Sequence, residues 1–333
     1  MTPPARRDNC LTIVRYLAAA DVMFGHFATH LSLPSNPVFD ILFRWLLGVP
    51  VFFFLSGFLL WHTAGGDVRA FAGRRFRRLY PELWGAVALE LITIAILYRD
   101  RVRWGGLLLF GAAQGTIFQC WTPSFLRGYG CGTPNGALWT IFVFVQFYII
   151  LRLLRKLLRG RRTVIWIAAL ALTAAAAAIS PLLEKILPVL LYKMYGQTIL
   201  PYLWMFLLGC FLSENYEGFV PVLKRFWYVP LALSVVWRFA VRRDVSLFSY
   251  PLVSTLLICC AAVGFAYAFP KLRPKTDLSY GLYIYHMIVV NAMIALSLTG
   301  RLRYGLIALG ATCLLALISY FTLGRFSRRR RCE

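Results

Sequence analysis

The sequence predicts an all-α membrane protein of about ten transmembrane helices, and three observations predict it. Of its 333 residues, 60% are hydrophobic and only 15% charged, whereas soluble domains carry about a quarter charged residues; the mean hydropathy is +0.68. The apolar residues come in blocks of about fifteen to twenty, close to the length a helix needs to cross hydrocarbon. They do not alternate as the roughly ten-residue strands of a membrane barrel do. Third, 36 Lys and Arg face 13 Asp and Glu, a formal charge of +23, and the basic residues gather between the blocks as the positive-inside rule requires. A soluble protein so charged would suggest nucleic acid. In a membrane protein the expected partners are anionic lipids and phosphate-bearing substrates, with no nucleic acid.

Taken in order, spans are expected at Leu11–Leu31, Ile41–Trp61, Leu79–Tyr98, Ala137–Leu157 and Thr163–Ile179. Five more follow at Thr198–Leu212, Phe226–Ala240, Ser246–Phe269, Leu278–Leu298 and Tyr304–Leu323. Charge parity decides the fate of Gly105–Cys120. If that Gly-rich stretch does not cross, the basic clusters Arg69–Arg78, Arg152–Arg162 and Arg325–Arg331 all share the amino-terminal side. It is therefore expected to be re-entrant or interfacial, with both termini cytoplasmic. The first helix is too long for the apolar core of a signal peptide, and no small-residue cleavage site follows it. A single membrane domain over residues 1–333, with no appended soluble domain, is the expectation. Trp61, Trp104, Trp121 and Tyr98 lie at span ends, as an aromatic belt would.

The eight cysteines have no zinc-like spacing, and no metal is expected. Most fall within spans and read as small apolar residues. Cys120 and Cys131 bracket a Gly/Pro-rich loop, where a disulfide is open in an oxidising compartment. Ionisable groups inside spans are costly and usually functional. Helix one holds Arg15, Asp21 and His26, with His30 near its far end. Arg15 and His26 lie about three turns apart, on one face and separated by roughly 16 Å. Asp21 is rotated about 140° from His26, too far for an intrahelical hydrogen bond. Glu90 is the other carboxylate well inside a span.

Further landmarks follow in order: Phe52–Phe58 ending Ser56-Gly57-Phe58; Arg74-Arg75-Phe76-Arg77-Arg78 ahead of Pro81; Leu138-Trp139-Thr140 with Gln146-Phe147-Tyr148; and Ser279-Tyr280-Gly281 leading to Tyr285-His286. Together these closely resemble the acyltransferase family 3 of integral membrane O-acyltransferases. That family has an Arg, ten residues and a His in its first helix, matched by Arg15 and His26. Its cytoplasmic Arg-x-x-Arg before a Pro is matched by Arg75, Arg78 and Pro81, and its late Ser-Tyr-Gly run by Ser279–His286. The resemblance covers most of the chain. One departure stands out: many members carry one or two Glu just before Gln-Phe-Tyr, where this sequence has Phe144 and Val145.

The resemblance implies transfer of an acyl group, acetyl foremost, from cytoplasmic acyl-CoA to a hydroxyl of a carbohydrate, a lipid-linked glycan or another cell-envelope glycan. It also implies a bacterial cytoplasmic membrane. An imidazole with an ordinary pKa near 6.5 suits a general base, so His26 is expected to activate the hydroxyl or to carry the acyl group transiently. Arg15 is expected beside it. Arg forks suit phosphate, which assigns CoA to Arg75 and Arg78, with Arg74 and Arg77 flanking. Asp21, Tyr285 and His286 are the expected acceptor contacts; Asn291 and Arg238 would line a cavity; Ser56 and Gly57 would permit close packing. Two rivals remain: a multi-pass transporter of a sugar or acyl precursor, which would move substrate without consuming CoA, and a non-enzymatic lipid-binding scaffold.

Overall fold

A computed structural model describes residues 8–34, 46–241, 248 and 250–328. The described chain is helical throughout, with no β-strand among the described residues. In chain order the helices are α1 (Leu11–His30), α2 (Gly48–Leu60), α3 (Val68–Leu97), α4 (Trp104–Gln114) and α5 (Trp139–Leu158). Next come α6 (Thr163–Ala178), α7 (Ser180–Ile186), α8 (Val189–Gly196), α9 (Leu203–Glu214) and α10 (Tyr216–Arg225). Then come α11 (Tyr228–Val241), α12 (Leu252–Ala268), α13 (Ser279–Ala295) and α14 (Leu302–Phe321), with a single turn, α15 (Arg325–Arg328), after them.

Among the described residues, six segments are long and apolar enough to cross a membrane: Leu11–His30, Gly48–Gly65, Val68–Leu97, Gly136–Leu158, Thr163–Ile186 and Leu302–Phe321. The pair α10 and α11, bent by 73° at its break, would make a seventh. The three other expected spans fall on the shorter apolar helices α9, α12 and α13. At 1.5 Å per residue these reach about 18–26 Å, short of a hydrocarbon core of about 30 Å. The protein is thus a multi-pass, all-α membrane protein. The starts of the expected spans at Ile41 and Ser246, and the end of the basic cluster at Arg331, lie outside the described residues.

Several boundaries differ from expectation. The Arg69–Arg78 cluster does not sit in a loop. It rides on the first turns of α3, which runs 30 residues and keeps Pro81 in its interior. The segment at 105–120 forms the 11-residue α4, about 16 Å long. Behind it the chain turns sharply, with the Gln114 and Gln119 side-chain amides each donating to the other's carbonyl oxygen at 3.4 and 3.2 Å. Trp84 and Tyr80 of α3 donate to the carbonyls of Gly115 and Thr116, which holds the turn against α3.

The chain packs into two compact units, and α1 contributes residues up to Ala18 to the first and from Ala19 to the second. The first unit adds residues 45–68 and 143–275. Its centre is the close pairing of α2 and α9. A Cβ on Gly57 would strike the Phe206 carbonyl, and one on Gly209 would strike that of Phe54; the small residues let the two backbones meet. Phe53 then packs on Phe147, Tyr202 and Phe144 at ring separations of 5.0–5.3 Å, and Phe147 stacks on Phe206 at 4.4 Å. Trp61 is not a belt residue. It is fully buried against Trp166 and donates to Glu214 at 2.6 Å. The same carboxylate accepts the Gly160 amide at 2.8 Å, and Arg155 donates to the Trp61 carbonyl.

The second unit adds residues 69–142 and 276–333 to the distal half of α1. Here α13 meets α14 where Gly281 faces Ala316. Tyr280 and Tyr285 donate to the Leu79 and Glu82 carbonyls of α3 at 2.9 and 3.5 Å. Leu107 and Phe110 of α4 pack with Ile94, Leu126 and Tyr129 in a separate apolar core. The loop that carries Cys131 is strapped to α13. Asn291 accepts the Cys131 amide and donates to the Thr133, Pro134 and Met287 carbonyls at 2.7–3.1 Å. Asn135 adds a bond to the Ile284 carbonyl at 2.9 Å. Asn291 is therefore a clasp rather than a cavity lining, and Cys120 and Cys131 are both free thiols.

Candidate active site

The distal half of α1 is apolar enough to enter a membrane, so each polar side chain it carries needs a partner there. His26 finds one on α13. Its Nδ1 lies 2.8 Å from Nε2 of His286, and the two rings stack with centroids 5.1 Å apart and planes at 23°. His286 is fully buried. Its Nδ1 faces the Leu282 carbonyl, one turn earlier on α13, at 3.2 Å. His26 is only partly buried, and a Cβ on the adjacent Gly25 would meet no atom within 4 Å. His30 stands one turn further on, its ring 5.5 Å from that of His26. Tyr283 meets His286 edge-on at 6.0 Å, and its hydroxyl bonds Thr140 at 3.0 Å.

The start of α13 forms a second polar cluster in this unit. Asp277 accepts the Ser279 hydroxyl at 2.6 Å and the Arg78 guanidinium at 3.3 Å. Arg78 also lies 3.7 Å from Glu82, which in turn accepts the Ser319 hydroxyl at 3.2 Å, and its guanidinium sits over the Tyr280 ring. Two carboxylates thus hold Arg78. Of its neighbours on α3, Arg74 and Arg77 are exposed, and Arg75 is half-buried over the Phe71 ring.

The other expected residues are dispersed. Tyr285 is buried and spends its hydroxyl on α3, as above. Asp21 is half-buried on α1 in the second unit. Arg15 lies in the first unit, where it donates to Thr12 at 3.0 Å. Phe144, at a position where family members carry an acid, fills an aromatic cluster with Phe53 and Tyr148. Glu90 is buried with both carboxylate oxygens unpartnered among the described residues. No group of three His, Cys, Asp or Glu placed to hold a metal ion occurs among the described residues.

The fold and this polar interior define a multi-pass membrane protein that pairs two imidazoles, one of them fully buried. Comparison with known proteins gives the class a family. The family model described as an acyltransferase domain, acyltransferase 3, matches residues 8–322, and the chain belongs to that family. It is 28% identical over 351 positions to nodulation protein 10 of Rhizobium leguminosarum bv. viciae, covering 94% of this chain and 91% of that protein. No solved structure matches it.

Proposed function

We propose that this protein is an O-acyltransferase that moves an acyl group, acetyl foremost, from cytoplasmic acyl-CoA to a hydroxyl of a carbohydrate or cell-envelope glycan in a bacterial cytoplasmic membrane. In this reading both termini are cytoplasmic and the three shorter apolar helices cross as well. The observation that carries it is the His26–His286 pair at 2.8 Å, in a chain of an acyltransferase family.

His26 acts as the base. It takes the acceptor hydroxyl proton as the oxygen attacks the thioester carbonyl. It then returns that proton to the departing CoA sulfur, so the carbon–sulfur bond breaks as the ester forms. The same nitrogen would serve if the acyl group rests transiently on the imidazole. Arg15 contributes positive charge from the first turns of the same helix. The CoA phosphates meet Arg75, flanked by the exposed Arg74 and Arg77. Arg78 would join them only by exchanging its carboxylate partners, so its first duty is to brace α3 against α13. Asp21 and the surroundings of His286 face the acceptor in this reading, whereas Tyr285, with its hydroxyl committed to the Glu82 carbonyl, has no acceptor role.

The test uses purified protein in lipid nanodiscs, with acetyl-CoA as donor and free-thiol release as the readout, alongside mass spectrometry of envelope glycans with and without the gene. Acylation should depend on acetyl-CoA, and His26→Ala should abolish it while the protein stays folded. Undiminished turnover by His26→Ala would sink the mechanism. Sugar flux without thiol release would favour a transporter.

A further inference from the structure

The bonds around His286 fix more than the place of His26. A backbone carbonyl can only accept, so the Leu282 oxygen 3.2 Å from His286 Nδ1 requires the hydrogen on that nitrogen. A neutral imidazole carries one N–H, which leaves His286 Nε2 as an acceptor. That nitrogen lies 2.8 Å from His26 Nδ1, so His26 must donate there, and its lone pair falls on Nε2. No hydrogen-bond partner engages His26 Nε2 among the described residues, and the residue is only partly buried.

We infer that His286 is a positioning residue: through the chain Leu282 carbonyl, His286 and His26 it holds His26 in the Nδ1–H form and aims Nε2 at the acceptor hydroxyl. The inference rests on the reading of His26 as the base. Its order is that of a base oriented by a hydrogen-bonded third group, with a neutral imidazole in place of the usual carboxylate. The proton from the hydroxyl goes to Nε2, Nδ1–H stays on its partner, and neither ring has to turn during the cycle. The support is rigid. His286 is fully buried, and α13 is pinned by Asn135 at Ile284 and by Asn291 to the strapped loop. Tyr283, the nearest polar ring on α13, commits its hydroxyl to Thr140 and the Ala137 carbonyl and does not compete.

The decisive measurement is the tautomer itself. The chain has four histidines, few enough for nitrogen NMR on full-length, [15N]His-labelled protein in nanodiscs. Wild type should show two imidazoles in the Nδ1–H form. One signal should vanish in His26→Ala, and His286→Leu should free His26 to populate the Nε2–H form. His286→Gln, whose amide oxygen can accept from His26, should restore the Nδ1–H form. In turnover, His286→Leu should lose about 10²-fold in kcat with KM for acetyl-CoA unchanged, and His286→Gln should recover most of it. A wild-type His26 in the Nε2–H form overturns the inference. So does His286→Leu turning over within twofold of wild type while His26→Ala is dead. If His26→Ala is itself active, the fault lies with the base assignment instead. Should His286→Leu fail to fold, the wild-type spectrum and the His286→Gln variant still decide.

Discussion

The two units differ in the polar groups they bury: small hydroxyls in the helices of the first, imidazole, amide and carboxyl groups in those of the second. The first is held by glycine contacts and a run of stacked rings, and its polar bonds cluster near helix ends, at Trp61, Glu214 and Gly160. The second buries His286, Asn291, Glu82 and Glu90 within its helices, with His26 bonded to His286. Burying such groups away from water costs free energy unless each is bonded. A scaffold avoids that cost, and a chemical site cannot. In the reading proposed above, His26 and His286 belong to the second unit, and each prediction below tests one side of the contrast.

The largest effect should come from His26→Ala, with acyl transfer falling about 10²–10⁴-fold while stability falls by only about 1–3 kcal/mol, the cost of leaving Nε2 of the buried His286 without its donor. Measuring turnover and melting on the same preparation separates the two. The converse belongs to Gly209→Val in the first unit. Its side chain would collide with the Phe54 carbonyl, backbone that cannot move aside, at a cost of about 1–3 kcal/mol or more. The expected result is a loss of monodisperse protein on size-exclusion chromatography, with normal turnover in whatever fraction folds. A Gly209→Val protein that is stable but inactive would blur the division.

Asn291→Ala should come next. It strands the Cys131 amide and the Thr133 and Pro134 carbonyls, at about 1–3 kcal/mol. Because the strap leads to the helix of His286, kcat should fall together with the melting temperature. Asn291→Asp keeps the acceptor for Cys131 but gives up the amide hydrogens, so it should recover only part of the loss.

Most of the fold is legible in the sequence, because apolar run length is a direct reading of the membrane's thickness. The helices at Leu11, Trp139 and Leu302 fall within a few residues of expectation. The boundaries that shift do so for local reasons. Arg69–Arg78 reads as a loop by charge alone, yet Arg is a good helix former, and α3 extends through it. The break at Phe226 and Trp227 leaves no mark that hydropathy registers, since both flanks are apolar. The site is legible in part. His26 stands out on its helix, while the role of His286 is hidden by its place in a tyrosine-rich run. A signal was available: His26 and His286 are the two histidines well inside expected spans, and intramembrane polar groups tend to pair with one another. Trp61 and Asn291 could not be placed this way, because their partners Glu214 and Pro134 are remote in sequence.

The smallest effects belong to the basic face of α3, and they sharpen the comparison within the second unit itself. Arg78 is engaged by Asp277 and Glu82, whereas Arg74 is exposed. Arg78→Ala removes the cation between two carboxylates, so it should lower the melting temperature as well as raise KM for acetyl-CoA. Arg74→Ala should leave stability unchanged. Its effect on KM should stay within about fivefold, since an exposed charge pair is worth about 0–1 kcal/mol. That small effect should shrink further between 50 mM and 500 mM salt as screening shortens its reach. If Arg74→Ala raised KM more than Arg75→Ala at both salt concentrations, the phosphate grip would sit on the exposed flank, and Arg75 would be a packing residue over Phe71.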